Sequence, residues 1–140
     1  MIRQYILFNI DDKIYGLDIM QVESIERMTS ITKVPNTPSY VLGVINLRSE
    51  IVPVISFRDR FNMQNKAYDD ATRIIITHFE DYRVGIIVDQ VKEVFDADID
   101  TIQPTDSILN DKRPFIQGVI YHNKDIIMIL NIQNILDINI

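Results

Sequence analysis

Short apolar segments recur along the chain, and most of them alternate apolar with polar positions. Turn-forming polar residues separate the segments, for example Asp11-Asp12-Lys13 and His122-Asn123-Lys124. The clearest segments lie at positions 5–10, 40–47, 51–57, 74–79, 84–91, 116–121 and 126–132. Many short strands with evenly spaced turns are typical of a small β-barrel or β-sandwich. The pattern therefore predicts an all-β fold.

The composition supports strands over helices. Isoleucine accounts for 27 of the 140 residues, and its branched Cβ suits a pleated strand better than a helix. Helical signals are limited to two short turns, one capped by Asp18 and one at residues 133–136. Pro53 lies inside an apolar segment, which predicts an edge strand or a bulge at that point.

The chain contains an internal repeat. Residues 15–25 align with residues 84–94 at an offset of 69, and residues 43–45 align with residues 118–120 at an offset of 75. All 4 glycines of the chain fall into matched pairs in these segments. Because glycine inside a strand marks a bulge, a bend or a close backbone approach, we predict two copies of one bent-strand module.

The repeat predicts two five-stranded barrels within a single domain that spans residues 1–140. The first barrel is expected at about residues 10–72 and the second at about residues 73–132. The polar segment 58–72 would join them, and the terminal segments would be exchanged or packed between them. A module of this size is marginally stable alone, so we expect the two copies to pack together.

Charge and composition exclude several classes of protein. The formal net charge is −6, which disfavours nucleic acid because phosphates repel an acidic chain. The absence of cysteine excludes disulfides and thiolate metal sites. With neither a signal peptide nor a long apolar run, the sequence predicts a cytoplasmic protein without direct membrane insertion.

Motifs for catalysis or cofactor binding are missing from the sequence. The 4 glycines are too widely spaced for a phosphate-binding loop. The acidic run Asp96–Asp100 resembles the start of a calcium loop, but Thr101 stands where that loop needs glycine. We therefore expect no catalytic residues, no metal and no cofactor, and we expect that the protein is not an enzyme.

The segment from Gly43 to Arg58, GVINLRSEIVPVISFR, resembles the most recognisable stretch of the CheW-like chemotaxis coupling proteins, roughly G-x-x-N-x-R-G-x-x-x-P-V-x-D-L-R. Residues 15–22, 34–38 and 84–89 resemble further segments of that family, in the same order. Ser49 stands where the family pattern has glycine, and Ser56 stands where it has aspartate.

The resemblance implies two intertwined SH3-like five-stranded barrels and an adaptor function. Such adaptors couple methyl-accepting chemoreceptors, at their cytoplasmic hairpin tip, to the regulatory domain of the histidine kinase CheA. By position, the resemblance places a receptor-binding groove between the barrels. The expected groove residues are Val22, Gly43, Asn46, Leu47, Arg48, Val84 and Val94.

Within that groove, Val22 and Val94 would supply an apolar floor, and Arg48 would fix the register of the receptor. Spacing alone leaves Arg48 open between an ordinary turn charge and a recognition residue, since guanidinium makes directional, bidentate contacts. Glu23 and Glu50 are the near-sequence carboxylates that could hold it, and a double-mutant cycle would show which of them does, if either. The alternative functions are binding of a small apolar ligand inside a β-barrel and binding of a different signalling partner.

Overall fold

The computed structural model describes residues 1–105 and 114–137 of the protein. Strands form most of this part of the chain. The strands are β1 Ile2–Ile10, β2 Lys13–Asp18, β3 Val22–Arg27, β4 Val41–Leu47, β5 Glu50–Ser56, β6 Arg73–Phe79, β7 Tyr82–Val88, β8 Gln90–Asp98, β9 Gln103–Pro104, β10 Ile116–His122 and β11 Asp125–Leu130. The α-helices are α1 Phe57–Arg60 and α2 Ile132–Ile135, and 3₁₀ turns span Ile19–Gln21 and Ile99–Thr101. The predicted all-β class is confirmed.

The chain divides into two compact units. Unit 1 comprises Met1–Gln21 and Val91–Ile140, and unit 2 comprises Val22–Gln90. The sheet of unit 1 has the strand order β8-β1-β2-β11-β10-β9, and the sheet of unit 2 has the order β3-β6-β7-β5-β4. The sixth strand of unit 1, β9, has only two residues.

The two sheets repeat one arrangement, strand for strand. In unit 2 the parallel pair β5–β7 places Val54 opposite Gly85, and in unit 1 the parallel pair β11–β2 places Ile129 opposite Gly16. Val54 and Ile129 are separated by the offset of 75, and Gly16 and Gly85 are separated by the offset of 69. The internal repeat read from the glycines therefore corresponds to a repeat in strand pairing.

Each unit combines strands from both sequence copies. The hairpin β1–β2 from the first copy joins β8–β11 from the second copy, whereas the hairpin β6–β7 from the second copy joins β3–β5 from the first. The sheets therefore divide the chain differently from the predicted ranges 10–72 and 73–132. Residues 73–88 belong with the first barrel because the hairpins have been exchanged.

Branched aliphatic side chains form most of the hydrophobic core of each unit. The core of unit 2 contains Ile45, Val52, Val54, Ile74 and Ile76, all nearly inaccessible to solvent. The core of unit 1 contains Tyr5, Leu7, Ile120, Ile127 and Ile129. These residues come from alternate positions of each strand, because successive side chains of a strand point to opposite faces of the sheet.

The short turns form where the sequence places capping residues. The Asp18 carboxylate accepts a hydrogen bond from the Met20 backbone N–H at 2.9 Å, which starts the 3₁₀ turn. The terminal helix α2 is capped by Asn131, whose side-chain oxygen accepts from the Asn134 N–H at 3.1 Å. Ser56 caps α1 by accepting from the Asp59 N–H at 3.1 Å.

Pro53 lies in an interior strand, so the predicted edge position is wrong. It pairs with Val44 of β4, and the Val44 N–H and C=O both bond to Thr32 on the other side. Val44 therefore turns its hydrogen-bonding groups away from β5. Pro53 therefore removes no hydrogen bond between β5 and β4.

Candidate functional site

The hairpin β4–β5 turns through Arg48 and Ser49. Both residues have positive φ, at 48° and 72°, and Leu47 pairs with Glu50 directly before and after them. This is the geometry of a two-residue hairpin turn with two left-handed positions, which Asn and Gly usually occupy. The Asn46 side-chain oxygen accepts the Ser49 N–H at 3.0 Å and fixes the turn.

The turn presents the Arg48 side chain to solvent. That side chain is 65% exposed, and its guanidinium meets one Glu26 carboxylate oxygen at 3.5 Å. An ion pair this long and this exposed contributes little to stability. The geometry therefore gives Arg48 little structural role and leaves its guanidinium accessible from solvent.

Arg83 on β7 binds the two carboxylates that were predicted to hold Arg48. It donates to Glu23 from Nε at 2.9 Å and from Nη2 at 2.6 Å, and to Glu50 from Nη1. The expected pairing of Arg48 with Glu23 or Glu50 is therefore wrong. The carboxylate that contacts Arg48 is that of Glu26.

The ion cluster changes the titration of Glu23. The hydrogen bonds from Arg83 are the main cause of a lowered Glu23 pKa, and the positive charges of Arg83 and Arg48 act in the same direction. Partial desolvation opposes them. Glu23 therefore stays ionised at a lower pH than an ordinary glutamate does.

Val22 and Val84 lie in register on the two sides of β6. Val22 on β3 pairs with Thr77 on β6, and Thr77 pairs in turn with Val84 on β7. The Thr77 hydroxyl donates to the Val84 carbonyl at 2.7 Å. Both valines are half-buried, so the structure brings these two candidate residues together on one sheet.

Gly43 and Leu47 lie inside unit 2. Leu47 belongs to its hydrophobic core. Gly43 has a φ of +149°, and a Cβ there would overlap the carbonyl oxygen of Thr32. Thr32 and Val44 exchange two backbone hydrogen bonds at 2.8 and 2.9 Å. Gly43 is therefore required for this close approach of two backbones.

Val94 belongs to the other unit. It lies on β8, with 49% of its surface exposed. Its role at a shared receptor site stays a prediction, as does the grouping of all seven candidates in one groove.

The sequence reasoning missed a second ion cluster, formed by Arg58 and Asp89. Arg58 donates to Asp89 from Nε at 3.1 Å and from Nη2 at 2.6 Å, and to the Gln64 carbonyl at 2.9 Å. Segment 58–72 was expected to be a polar connection, yet Arg58 is buried. The signal was present, because Arg58 and Asp89 each follow an apolar strand.

Unit 1 carries a matching hairpin with different chemistry. Its turn is formed by Asn123 and Lys124, with φ values of 50° and 68°. Tyr121 and Ile126 flank that turn as an exposed pair, where unit 2 has Asn46 opposite Ile51. The guanidinium at the turn is therefore a feature of unit 2, and the fold itself does not require it.

The described part of the chain contains no helix long and apolar enough to cross a membrane. Its residues also form no cluster of three or more metal-ligating side chains of the histidine, cysteine or carboxylate type. Aliphatic side chains occupy the inner face of each sheet. This packing argues against the binding of an apolar ligand in the interior of either barrel.

Comparison with known proteins identifies the family. The chain matches the CheW-like domain over residues 4–139. The chain belongs to the CheW family. It is 33% identical to the chemotaxis protein CheW of Bacillus subtilis over 136 residues, which cover 96% of this chain and 87% of that protein. The CheW of Klebsiella aerogenes is 36% identical over 102 residues, or 73% of this chain, which spans 61% of the length of that protein.

A solved structure extends this likeness to the fold. The scaffolding protein TtCheW from Thermoanaerobacter tengcongensis superposes with a TM-score of 0.89 at 33% identity, covering 99% of this chain and 95% of that one. The prediction of two SH3-like barrels is confirmed by this match. CheW proteins are non-catalytic chemotaxis adaptors, so the prediction that this chain is not an enzyme is also confirmed.

Proposed function

We propose that this CheW protein couples chemoreceptors to the histidine kinase CheA in the cytoplasm, and that Arg48 is its main receptor contact. The observation that carries the proposal is the geometry of the Arg48 hairpin. A guanidinium stands at the apex of a fixed two-residue turn, and among the described residues a 3.5 Å contact to Glu26 is the one ion pair that holds it. Such a group can exchange its weak internal partner for a carboxylate on another protein.

We assign the half-buried pair Val22 and Val84 to the receptor contact as well. Both lie on the sheet of unit 2 that also carries the Arg48 hairpin. A helical receptor tip requires an apolar contact together with a polar group that sets its register. The valines would provide the first and Arg48 the second, with Asn46 holding the turn.

The seven candidates have different roles in this proposal. Arg48, Val22 and Val84 contact the receptor, and Val94 remains a candidate contact. Asn46, Gly43 and Leu47 act through the hairpin that they shape, since Gly43 and Leu47 are buried. Substitutions at Gly43 or Leu47 would therefore reduce receptor binding by disturbing the sheet.

The test is simultaneous binding of two purified partners, a receptor-tip hairpin and a CheA regulatory domain from the same organism. Analytical ultracentrifugation should show a ternary complex that contains one chain bound to both proteins. If the two partners exclude each other, or if only one binds, the chain does not couple them directly. Arg48→Asn should convert the ternary complex into a binary complex with CheA.

A further inference from the structure

Arg83 binds two carboxylates that lie within electrostatic reach of Arg48. Glu50 directly follows the turn that contains Arg48, and the positive charge of Arg48 contributes to the lowered pKa of Glu23. Arg83 reaches across β6 to Glu23 on β3 and to Glu50 on the adjacent strand β5. It therefore binds two carboxylates near the turn that contains Arg48.

The fold does not need an ion cluster at this point. In the matching hairpin of unit 1, Ile14 stands at the position of Arg83, because Ile14 pairs with Asn9 as Arg83 pairs with His78. Asp125 of unit 1 corresponds to Glu50 by the offset of 75. Unit 1 thus forms the same sheet with isoleucine at this position. Unit 2, which has Arg48 at its turn, has Arg83 there instead.

We propose that Arg83 is a positioning residue that keeps Glu23 and Glu50 away from Arg48, so that the Arg48 guanidinium is available to a carboxylate on the partner. This inference rests on the proposed function of Arg48 as a receptor contact. The bidentate bond to Glu23 and the bond to Glu50 hold both acids in fixed geometry. Without Arg83, both carboxylates lose their arginine, and an internal ion pair between one of them and Arg48 would compete with the partner.

The test measures binding of a receptor-tip hairpin to four forms of the full chain by isothermal titration calorimetry. Arg83→Gln should weaken binding by about fivefold, the size of an exposed ion pair. Glu23→Gln combined with Glu50→Gln should leave the affinity of the otherwise unchanged protein almost unaltered. Adding both glutamines to Arg83→Gln should restore binding to within about twofold of the original protein.

The rescue distinguishes positioning from a general structural role. If the triple variant stays as weak as Arg83→Gln, or if Arg83→Gln binds normally, the proposal is wrong. Lys33→Gln removes one exposed positive charge from the same unit and should not weaken binding. If Arg83→Gln unfolds, Arg83→Ile replaces it, because isoleucine occupies the matching position of unit 1.

A second readout needs no receptor and separates this inference from the proposed function. The Nε–H resonance of Arg48 in the free protein should shift in Arg83→Gln as Arg48 gains a carboxylate partner. It should return in the triple variant. An unchanged resonance would overturn the positioning role even if the receptor binds through Arg48. Absence of receptor binding in every form, with the shift present, would instead remove only the receptor assignment.

Discussion

The side-chain oxygen of Asn46 accepts the backbone N–H of Ser49 at 3.0 Å, and this bond closes the turn that carries Arg48. The two residues lie three apart on opposite sides of the hairpin apex. Because the bond is made within the turn, the backbone direction from which the Arg48 side chain projects is set before any partner binds. A preformed turn lowers the entropy cost of recognition.

Ser49 is a strained residue in that turn. Its φ of 72° is left-handed, and a residue with a Cβ loses about 1 kcal/mol there compared with glycine. Ser49→Gly should therefore raise the free energy of unfolding by about 1 kcal/mol in urea titrations, with receptor binding retained. Lys124→Gly is the matched control in unit 1 and should stabilise to a similar extent. A loss of stability in Ser49→Gly would contradict the proposed strain.

Gly43→Ala should destabilise unit 2 severely. A Cβ at this position overlaps the backbone oxygen of Thr32, which no side-chain rotation can relieve. The expected loss exceeds about 3 kcal/mol in the free energy of unfolding, measured by urea titration.

Gly16→Ala is the control for the glycine prediction. Its nearest neighbours would be two methyl carbons, of Ile129 at 3.0 Å and of Leu7 at 3.3 Å. Flexible side-chain ends can move, so this variant should lose clearly less stability than Gly43→Ala. Equal losses in the two variants would show that the contact with Thr32 is not decisive.

The pair Arg58–Asp89 should be important for stability and not for binding. The side chains are only 11% and 13% exposed, and removal of one partner leaves a buried charge. Arg58→Ala should cost about 3 kcal/mol of unfolding free energy in urea. Arg58→Met combined with Asp89→Leu should recover most of that loss. A cost below about 1 kcal/mol for Arg58→Ala would show that the pair is solvated.

Glu23 makes the stability of unit 2 depend on pH. Its folded pKa lies below the ordinary value of 4.5, so ionised Glu23 stabilises the folded state above that pH. The contribution is lost as the pH falls through the lowered folded pKa. The difference in unfolding free energy between the original protein and Glu23→Gln should therefore shrink between about pH 5 and pH 3.

The control for the pH prediction removes the main cause of the shift. The groups that act on Glu23 are Arg83, Arg48 and His78, with Arg83 first among them. In an Arg83→Gln background, Glu23→Gln should show a much weaker trend with pH. If the difference in unfolding free energy between the original protein and Glu23→Gln stays constant with pH, Arg83 does not lower the pKa of Glu23.

The sequence predicted most of the strands because their signals are local, but no predicted segment covers β3 or most of β8. Alternation and turn residues determine each hairpin, and most of the positive φ values fall at the predicted turns, including Asp11 and Glu80 at the offset of 69. The exchange of hairpins between copies was not predicted in detail. Two equivalent strands can pair within one copy or across copies, and only tertiary packing decides between them.

The site was predicted in part, for a similar reason. Arg48 was found because it interrupts two apolar strands. Its partner was assigned wrongly because sequence separation does not show which carboxylate of β3 faces the turn, and β3 contains a β-bulge between Val22 and Ser24. After a bulge, the face on which Glu23 and Glu26 lie no longer follows a period of two. Arg83 was missed because its two carboxylates are 60 and 33 residues away in the sequence.

Substitution of Arg48 by the residue from the matching turn tests whether Arg48 recognises the receptor. Asn123 occupies that position in unit 1, and asparagine tolerates left-handed φ, so Arg48→Asn should keep the hairpin and the stability of the protein. Its affinity for the receptor-tip hairpin should fall by at least about tenfold, with CheA binding unchanged. Unchanged receptor affinity in the folded variant would contradict the account.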